Sequence, residues 1–170
     1  MSPNIISGDR ILARKLLPQD RVTKCGDLIV YRNPLPTGAR RIVGRVVAVA
    51  GDQIEIRGEH LLINGNELVH ESIPDESSKA LVQRSKGRVV YEVNSDRRYI
   101  VSYGDSSDGD HKDSVFEATV PQPHVFVLGD NRDRARESRH FGSIHSGEIV
   151  GCVDYIFWPS ESWSRFGVVQ

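Results

Sequence analysis

Short runs that alternate between apolar and polar residues dominate this chain, and turn-forming residues separate them. Residues 53–57 alternate with a period of two, which predicts a strand with one buried face. Residues 40–50 are almost continuously apolar and rich in Val, so we expect a strand buried on both faces. The apolar runs at residues 27–31, 125–128 and 149–157 predict three further strands.

Two turn signals predict β-hairpins. Asn64-Gly65 lies between the apolar runs 60–63 and 67–69, and both turn residues accept a positive φ. Asn94-Ser95-Asp96 lies between the alternating runs 88–92 and 99–103. Residues 70–84 are polar and predict a loop or the boundary of an insertion, and no long stretch has clear helical periodicity. The fold class that we expect is mainly β, antiparallel, with few helices.

Composition narrows the classes of protein to consider. The chain has 170 residues, which fits one domain or one domain with an insertion. Its formal net charge is −1, so its charge gives no reason to expect a nucleic-acid partner. Residues 1–20 carry charges throughout, and the chain lacks an apolar run long enough for a transmembrane helix, so we expect neither a signal peptide nor a membrane span. Cys25 and Cys152 fit no zinc motif and could be paired or free.

The most informative segment follows the predicted strand 125–128. Glycines bracket alternating acids and bases there, and such an order indicates a loop held by charge-assisted hydrogen bonds beside a site. The residues of this segment that we single out are Gly129, Asp130, Asn131, Arg132, Asp133, Glu137, Ser138, Arg139 and Gly142.

This segment resembles the most diagnostic motif of type I signal peptidases, Gly-Asp-Asn-Arg-Asp followed by an acid-Ser-Arg triplet and a Gly. The first residues resemble that family's Ser-Met-x-Pro-Thr-Leu-x-x-Gly-Asp segment. Arg45 and the turn that follows its strand resemble a third block, and residues 157–167 resemble the family's C-terminus. The residues that carry the second and third blocks are Met1, Pro3, Gly8, Asp9, Arg45, Gly51 and Asp52.

The resemblance implies a signal-peptidase-like β fold in which residues 1–65 and 121–170 form the core and residues 66–120 form an inserted β subdomain. It implies membrane association on the extracytoplasmic side. It also implies signal peptides or other extended peptides of preproteins as partners, with no cofactor and no metal.

The same resemblance implies a serine nucleophile and a lysine general base, which must be buried so that its pKa falls towards neutrality. The nucleophile is expected just before Met1, and Ser2 has the wrong spacing from Pro3. The lysine is expected directly before Arg45, where this chain has Gly44. A shifted register would place Arg40 there, and arginine stays protonated.

A small hydroxyl residue that holds the lysine is expected at position 135, where this chain has Ala135. Gly44 and Ala135 thus form a coherent pair of losses. We therefore expect a signal-peptidase-like domain with impaired catalysis. Two alternatives remain open: a genuine membrane-anchored signal peptidase whose N-terminus is truncated in this sequence, and a non-catalytic peptide-binding module.

Two further features have competing interpretations. The acidic run 105–113 could bind a cation, although a solvated hairpin tip fits its spacing better. The aromatic cluster near the C-terminus either contacts a membrane surface or packs against the last strand. Its members are Trp158, Trp163 and Phe166, together with Phe157.

Overall fold

A computed structural model describes residues 1–16, 23–36, 41–85, 87–104, 115–133 and 135–169. The described residues form fourteen strands and two α-helices, which confirms the mainly antiparallel β class. The helices are α1 (Asp75–Ser85) and α2 (Ser138–Phe141). The strands are β1 (Arg10–Lys15), β2 (Leu28–Arg32), β3 (Arg41–Val49), β4 (Gln53–Arg57), β5 (His60–Ile63), β6 (Asn66–Glu67), β7 (Val69–Ser72), β8 (Gly87–Asn94), β9 (Arg97–Gly104), β10 (Val115–Thr119), β11 (His124–Leu128), β12 (Ile144–His145), β13 (Ile149–Trp158) and β14 (Gly167–Val168).

The largest sheet has the strand order β1-β13-β2-β3-β11-β12, and β14 pairs with the distal part of β13. β3 is buried on both faces, as its apolar run predicts. Val46 belongs to one core cluster with Tyr31 and Val127, whereas Val47 belongs to a second cluster on the other side of the sheet with Phe126. The sheet therefore separates two apolar layers.

Two smaller sheets complete the fold. One has the order β10-β4-β5-β6 and the other the order β7-β8-β9. Both predicted hairpins are confirmed: Asn64 and Gly65 have φ values of 53° and 77°, and Ser95 has a φ of 58°. β10, from the range 66–120, pairs with β4 from the range 1–65.

The loop predicted for residues 70–84 is wrong. β7 extends to Ser72, and α1 occupies most of the remainder. Almost all of the helix residues whose burial is described are exposed or partly exposed, so no apolar stripe marks this segment in the sequence. The acidic run 105–113 and Arg40 lie outside the described residues.

The two cysteines are free thiols, Cys25 partly buried and Cys152 buried. Burial raises the pKa of each thiol to about 11, so both stay protonated near neutral pH.

Candidate active site

The centre of the site is a buried ion pair between Arg45 of β3 and Asp130, which follows β11. Arg45 donates two hydrogen bonds to the carboxylate, Nε to Oδ1 at 2.7 Å and Nη2 to Oδ2 at 2.9 Å. The two side chains are 1% and 0% exposed. The same guanidinium donates to the Gly26 carbonyl and lies 4.1 Å from the centre of the Tyr99 ring. This geometry fixes the motif loop to the strand that carries Gly44.

A second buried pair fixes the loop to the three-stranded sheet. Arg132 donates to Glu92 of β8 at 2.6 Å, and the Tyr99 hydroxyl donates to the same oxygen at 2.8 Å. Burial alone would raise the pKa of Glu92, but the charge of Arg132 and these hydrogen bonds lower it to about 2. The loop backbone also pairs with Ser102 of β9, which bridges Asn131.

Other motif residues satisfy backbone groups of neighbouring strands. Asp133 accepts a hydrogen bond from the Gly104 amide at the end of β9. Ser138 is fully buried, and its Oγ accepts from the Val127 amide at 3.0 Å. Gly142 ends α2 with a φ of 83°, a conformation that favours glycine. These side chains therefore hold the loop in one conformation.

Glu137 is the buried acid at the start of α2. It accepts hydrogen bonds from the Gly129 amide and from Arg139, which also donates to the Arg132 carbonyl. Burial raises the pKa of Glu137 to about 7, although the charge of Arg139 and the Gly129 amide oppose that rise.

Gly44 faces an apolar wall inside the sheet. A Cβ atom on Gly44 would lie 3.0 Å from Cε1 of Tyr31 and 3.4 Å from Cβ of Val127. Burial, followed by the negative charge of Glu137, raises the pKa of the Tyr31 hydroxyl above its usual range. Ala135 packs against Gly129, and a Cβ atom on Gly129 would overlap the Ala135 methyl group.

The remaining predicted residues lie in the N-terminal segment and in the turn that follows β3. Pro3 is buried. Gly51 turns the chain after β3 with a φ of 94°, and Asp52 accepts from the Val49 amide and from Asn64. Asp9 is partly buried, and its side chain binds Arg165. The first block, the strand of Arg45 and the segment 129–142 therefore meet through the bonds of Asn4 and Arg45 to Asp130, whereas Gly51 and Asp52 form the turn that follows β3.

Comparison with known proteins decides the family. The model of the family described as signal peptidase, peptidase S26, matches residues 1–158. The chain belongs to the signal peptidase family. It is 27% identical to signal peptidase I of Bacillus caldolyticus, over 96% of this chain and 78% of that protein. It is 28% identical to signal peptidase I of Streptococcus pneumoniae, over 94% and 78%. A signal peptidase I structure from Enterococcus faecalis V583 matches with a TM-score of 0.44 and 25% identity, over 77% of this chain and 96% of that one.

Three residues of this site were missed by reasoning from the signal peptidase motifs. Tyr31 faces Gly44, Glu92 binds Arg132, and Asn4 donates to Asp130 at 2.7 Å. An acid in the alternating run 88–92 was the available signal for Glu92, because its phase places it on the buried face of β8. Asn4 occupies the position where the family pattern has Thr, and nothing in the sequence connects it with Asp130.

The aromatic residues near the C-terminus lie on the surface. Trp158, Trp163 and Phe166 are 53%, 64% and 60% exposed. Their rings contact one another in edge-to-face and tilted arrangements, with 5.2 Å between the centres of the two indole rings and 6.3 Å between those of Trp163 and Phe166. Packing against the last strand therefore leaves most of their surface exposed. No helix among the described residues is both long and apolar enough to cross a membrane.

The part of the chain that the structure describes contains no set of side chains suited to bind a metal ion. No group of three or more His, Cys, Asp or Glu side chains there could hold an ion.

Proposed function

We propose that this chain is a catalytically impaired member of the signal peptidase family that binds extended peptides of preproteins without cleaving them. The observation that carries the proposal is Gly44, which occupies the position directly before Arg45. The expected nucleophile position precedes Met1, so the proposal rests on the base position and not on where the chain begins.

Peptide-bond cleavage by a serine needs a base with a free lone pair and a pKa near the working pH. Glycine has no such group. Arg45 stays protonated and is bound to Asp130. The raised pKa of Tyr31 keeps its hydroxyl protonated. The residues around Gly44 thus provide an apolar environment in which a lysine base could work, but not the lysine.

Glu137 is the alternative base that must be considered, because its pKa is about 7. Its Oε2 accepts from the Gly129 amide and its Oε1 accepts from Arg139. Both oxygens are therefore engaged in holding the loop. We assign Glu137 to the scaffold, and a Glu137→Gln variant tests that assignment.

A sheet edge supports peptide binding. β2 pairs with Arg41–Arg45 on one side of β3, whereas β11 pairs with β3 only from Arg45 to Val49. In the described part of the chain, no strand pairs with the other edge of residues 41–44. An extended peptide can add a strand to such an edge through main-chain hydrogen bonds. This edge begins beside Gly44, where a scissile bond would lie in an active relative.

The exposed aromatic cluster supports a place at the extracytoplasmic membrane surface. Tryptophan side chains favour the boundary between lipid and water. In this protein Trp158, Trp163 and Phe166 contact one another in one exposed cluster. Preproteins present their signal peptides at this boundary. We therefore propose that the cluster keeps the peptide-binding edge close to the membrane.

Fluorescence anisotropy with a labelled peptide tests the binding function. The peptide is the C-terminal part of a signal sequence joined to a few residues of the mature protein. We expect saturable binding and an intact peptide by mass spectrometry after prolonged incubation. The matched control is the same peptide with alternate backbone nitrogens methylated, which removes the donors for strand addition. Equal affinity for both peptides, or no binding of either, would contradict the proposal.

A further inference from the structure

The segment that leads into the site has almost no regular secondary structure of its own. Residues 1–9 precede β1 and are held by a few specific bonds. The Ile5 amide donates to the Met1 carbonyl at 3.0 Å, and the Asp9 amide donates to the Ile6 carbonyl at 3.2 Å. Such short-range bonds alone do not fix a segment against the rest of a protein.

A partly buried ion pair supplies the missing attachment. Arg165 donates to both oxygens of Asp9, with Nη1 to Oδ1 at 2.7 Å and Nη2 to Oδ2 at 2.5 Å. The side chains are 10% and 0% exposed. Burial would raise the pKa of Asp9, but Arg165 and hydrogen bonds from Ile6 and Ser160 hold it well below its usual range. The pair is bidentate, the geometry in which arginine binds a carboxylate most strongly.

The attachment continues to the centre of the site through Asn4. Nη2 of Arg165 also donates to the Asn4 carbonyl at 3.0 Å. The Asn4 side-chain amide donates to Asp130 Oδ2 and to the Ile100 carbonyl, both at 2.7 Å. Asp130 is in turn bound to Arg45, the neighbour of Gly44. One chain of hydrogen bonds thus joins the C-terminal segment, residues 4–9 and β3.

Gly8 shows how closely the two segments approach. It has a φ of 90°, and a Cβ atom there would lie only 2.9 Å from Cβ of Ser160. Both the amide and the hydroxyl of Ser160 donate to Asp9 Oδ1. Gly8 and Asp9 belong to the first motif block, yet their partners Ser160 and Arg165 lie beyond residue 158, where the match to the family model ends.

We propose that Arg165 is a positioning residue, through which the C-terminal segment 160–165 clamps residues 4–9 and sets the conformation of the peptide site. The clamp rests on the proposed peptide-binding function for its purpose, although its effect on residues 4–9 can be measured separately. Arg165 acts through Asp9 and Asn4 and touches no peptide itself.

Amide hydrogen exchange by NMR tests the clamp in the full chain. In Arg165→Met we expect exchange of the Ile6 and Asp9 amides to become faster by about tenfold or more. Without the ion pair, local opening of residues 4–9 costs less free energy and occurs more often. The Val127 amide in β11 reports global opening, so its exchange should rise less than that of the Ile6 and Asp9 amides. Arg165→Lys keeps the positive charge but loses the planar pair of donors that binds both Asp9 oxygens, so we expect an intermediate rise in the exchange rate. Arg14→Met is the matched control, because Arg14 forms an exposed pair with Asp154.

Peptide affinity is measured on the same variants by anisotropy. We expect Arg165→Met to weaken binding by about fivefold or more, Arg165→Lys to restore part of the loss, and Arg14→Met to leave affinity unchanged. Unchanged exchange at Ile6 and Asp9 in both Arg165 variants would overturn the clamp. If Arg165→Met does not fold, amide exchange at Ile6 and Asp9 in Arg165→Lys alone tests the clamp. If the wild-type chain binds no peptide, the proposed function fails while the exchange data still decide the clamp.

Discussion

At the scale of single residues, the pair between Arg45 and Asp130 is an ion pair without exposed surface to speak of, since its side chains are 1% and 0% exposed. Asp130→Asn keeps the size of the side chain but leaves the Arg45 guanidinium buried without its counter-charge. We expect a loss of about 3–5 kcal/mol in the free energy of unfolding, the range for breaking one partner of a buried pair. Urea denaturation followed by circular dichroism measures it.

The control for this prediction is the same substitution in an exposed pair. Asp154→Asn breaks the contact with Arg14, whose side chain is 64% exposed. We expect a much smaller loss of stability there, because solvent and salt screen an exposed pair. Equal losses in Asp130→Asn and Asp154→Asn would show that burial of the Arg45 pair has been misjudged.

Glu137 gives a prediction about pH. Its folded-state pKa of about 7 lies above the ordinary value of 4.5, so the folded chain binds more protons than the unfolded chain between these pH values. The contribution of Glu137 to stability is therefore present below pH 4.5 and is lost as the pH rises through 7. Glu137→Gln cannot titrate, so its stability relative to the wild type should be higher at pH 8 than at pH 5.

Denaturation of both proteins at the two pH values measures this difference, and Glu148→Gln serves as the control because Glu148 is 48% exposed. The raised pKa would be contradicted if the difference in unfolding free energy between the wild type and Glu137→Gln were the same at both pH values. It would also be contradicted if the corresponding difference for Glu148→Gln changed with pH by as much.

The sequence predicted the identity of these charged residues better than their partners. The motif order marked Asp130, Arg132, Asp133 and Glu137 as loop-fixing residues, because acids and bases alternate between glycines. Tyr31 could not be predicted, since an aromatic residue in an apolar strand looks like any core residue. Its importance arises only because β2 and β3 pair in a register that places its ring against Gly44.

At the scale of elements, β3 connects the core with the site. Its residues from Arg45 to Val49 pair with β11, whereas its first residues pair only with β2 among the described strands and leave the other edge available to a peptide. The packing of Tyr31 against Gly44 closes the space beneath this edge. A base at position 44 would have to share that space with the tyrosine ring.

A double-mutant cycle tests this packing. Gly44→Ala places a Cβ atom 3.0 Å from Tyr31, and Tyr31→Leu removes the ring that it meets. We expect the two substitutions to couple by about 0.5–3 kcal/mol in unfolding free energy, as contacting residues do. Gly65→Ala should not couple with Tyr31→Leu, because a Cβ atom at Gly65 meets nothing within 4 Å and costs only backbone strain at a φ of 77°. If the effects of Gly44→Ala and Tyr31→Leu on unfolding free energy were additive, the Tyr31 ring would have to move aside at no cost, which contradicts tight packing.

Elements with strong periodicity were predictable, and those without it were not. Both hairpins and the doubly buried strand β3 follow from local pattern and turn chemistry. α1 has no apolar stripe to reveal it, and Arg84 near its C-terminus pairs with Glu161, far away in sequence. α1 also packs beside β8 and β9, and such tertiary packing stabilises a polar helix although a single sequence does not display it.

At the scale of the whole molecule, the site depends on residues from both ends of the chain. Asn4 and Asp9 come from the first segment, and Arg165 comes from the last. The exposed Trp163 and Phe166 flank Arg165, so the proposed membrane-facing surface and the clamp belong to one segment. A peptide bound beside Gly44 would therefore meet a site whose shape depends on that segment.

The central claim is that this member of the signal peptidase family holds preprotein peptides but does not cut them. The most direct measurement is incubation of the protein purified from its own cells with a labelled preprotein, followed by mass spectrometry of the products. We predict that the preprotein remains intact while it binds. Cleavage at a single bond that is abolished by Glu137→Gln, or by any other substitution in residues 1–169, would contradict the account.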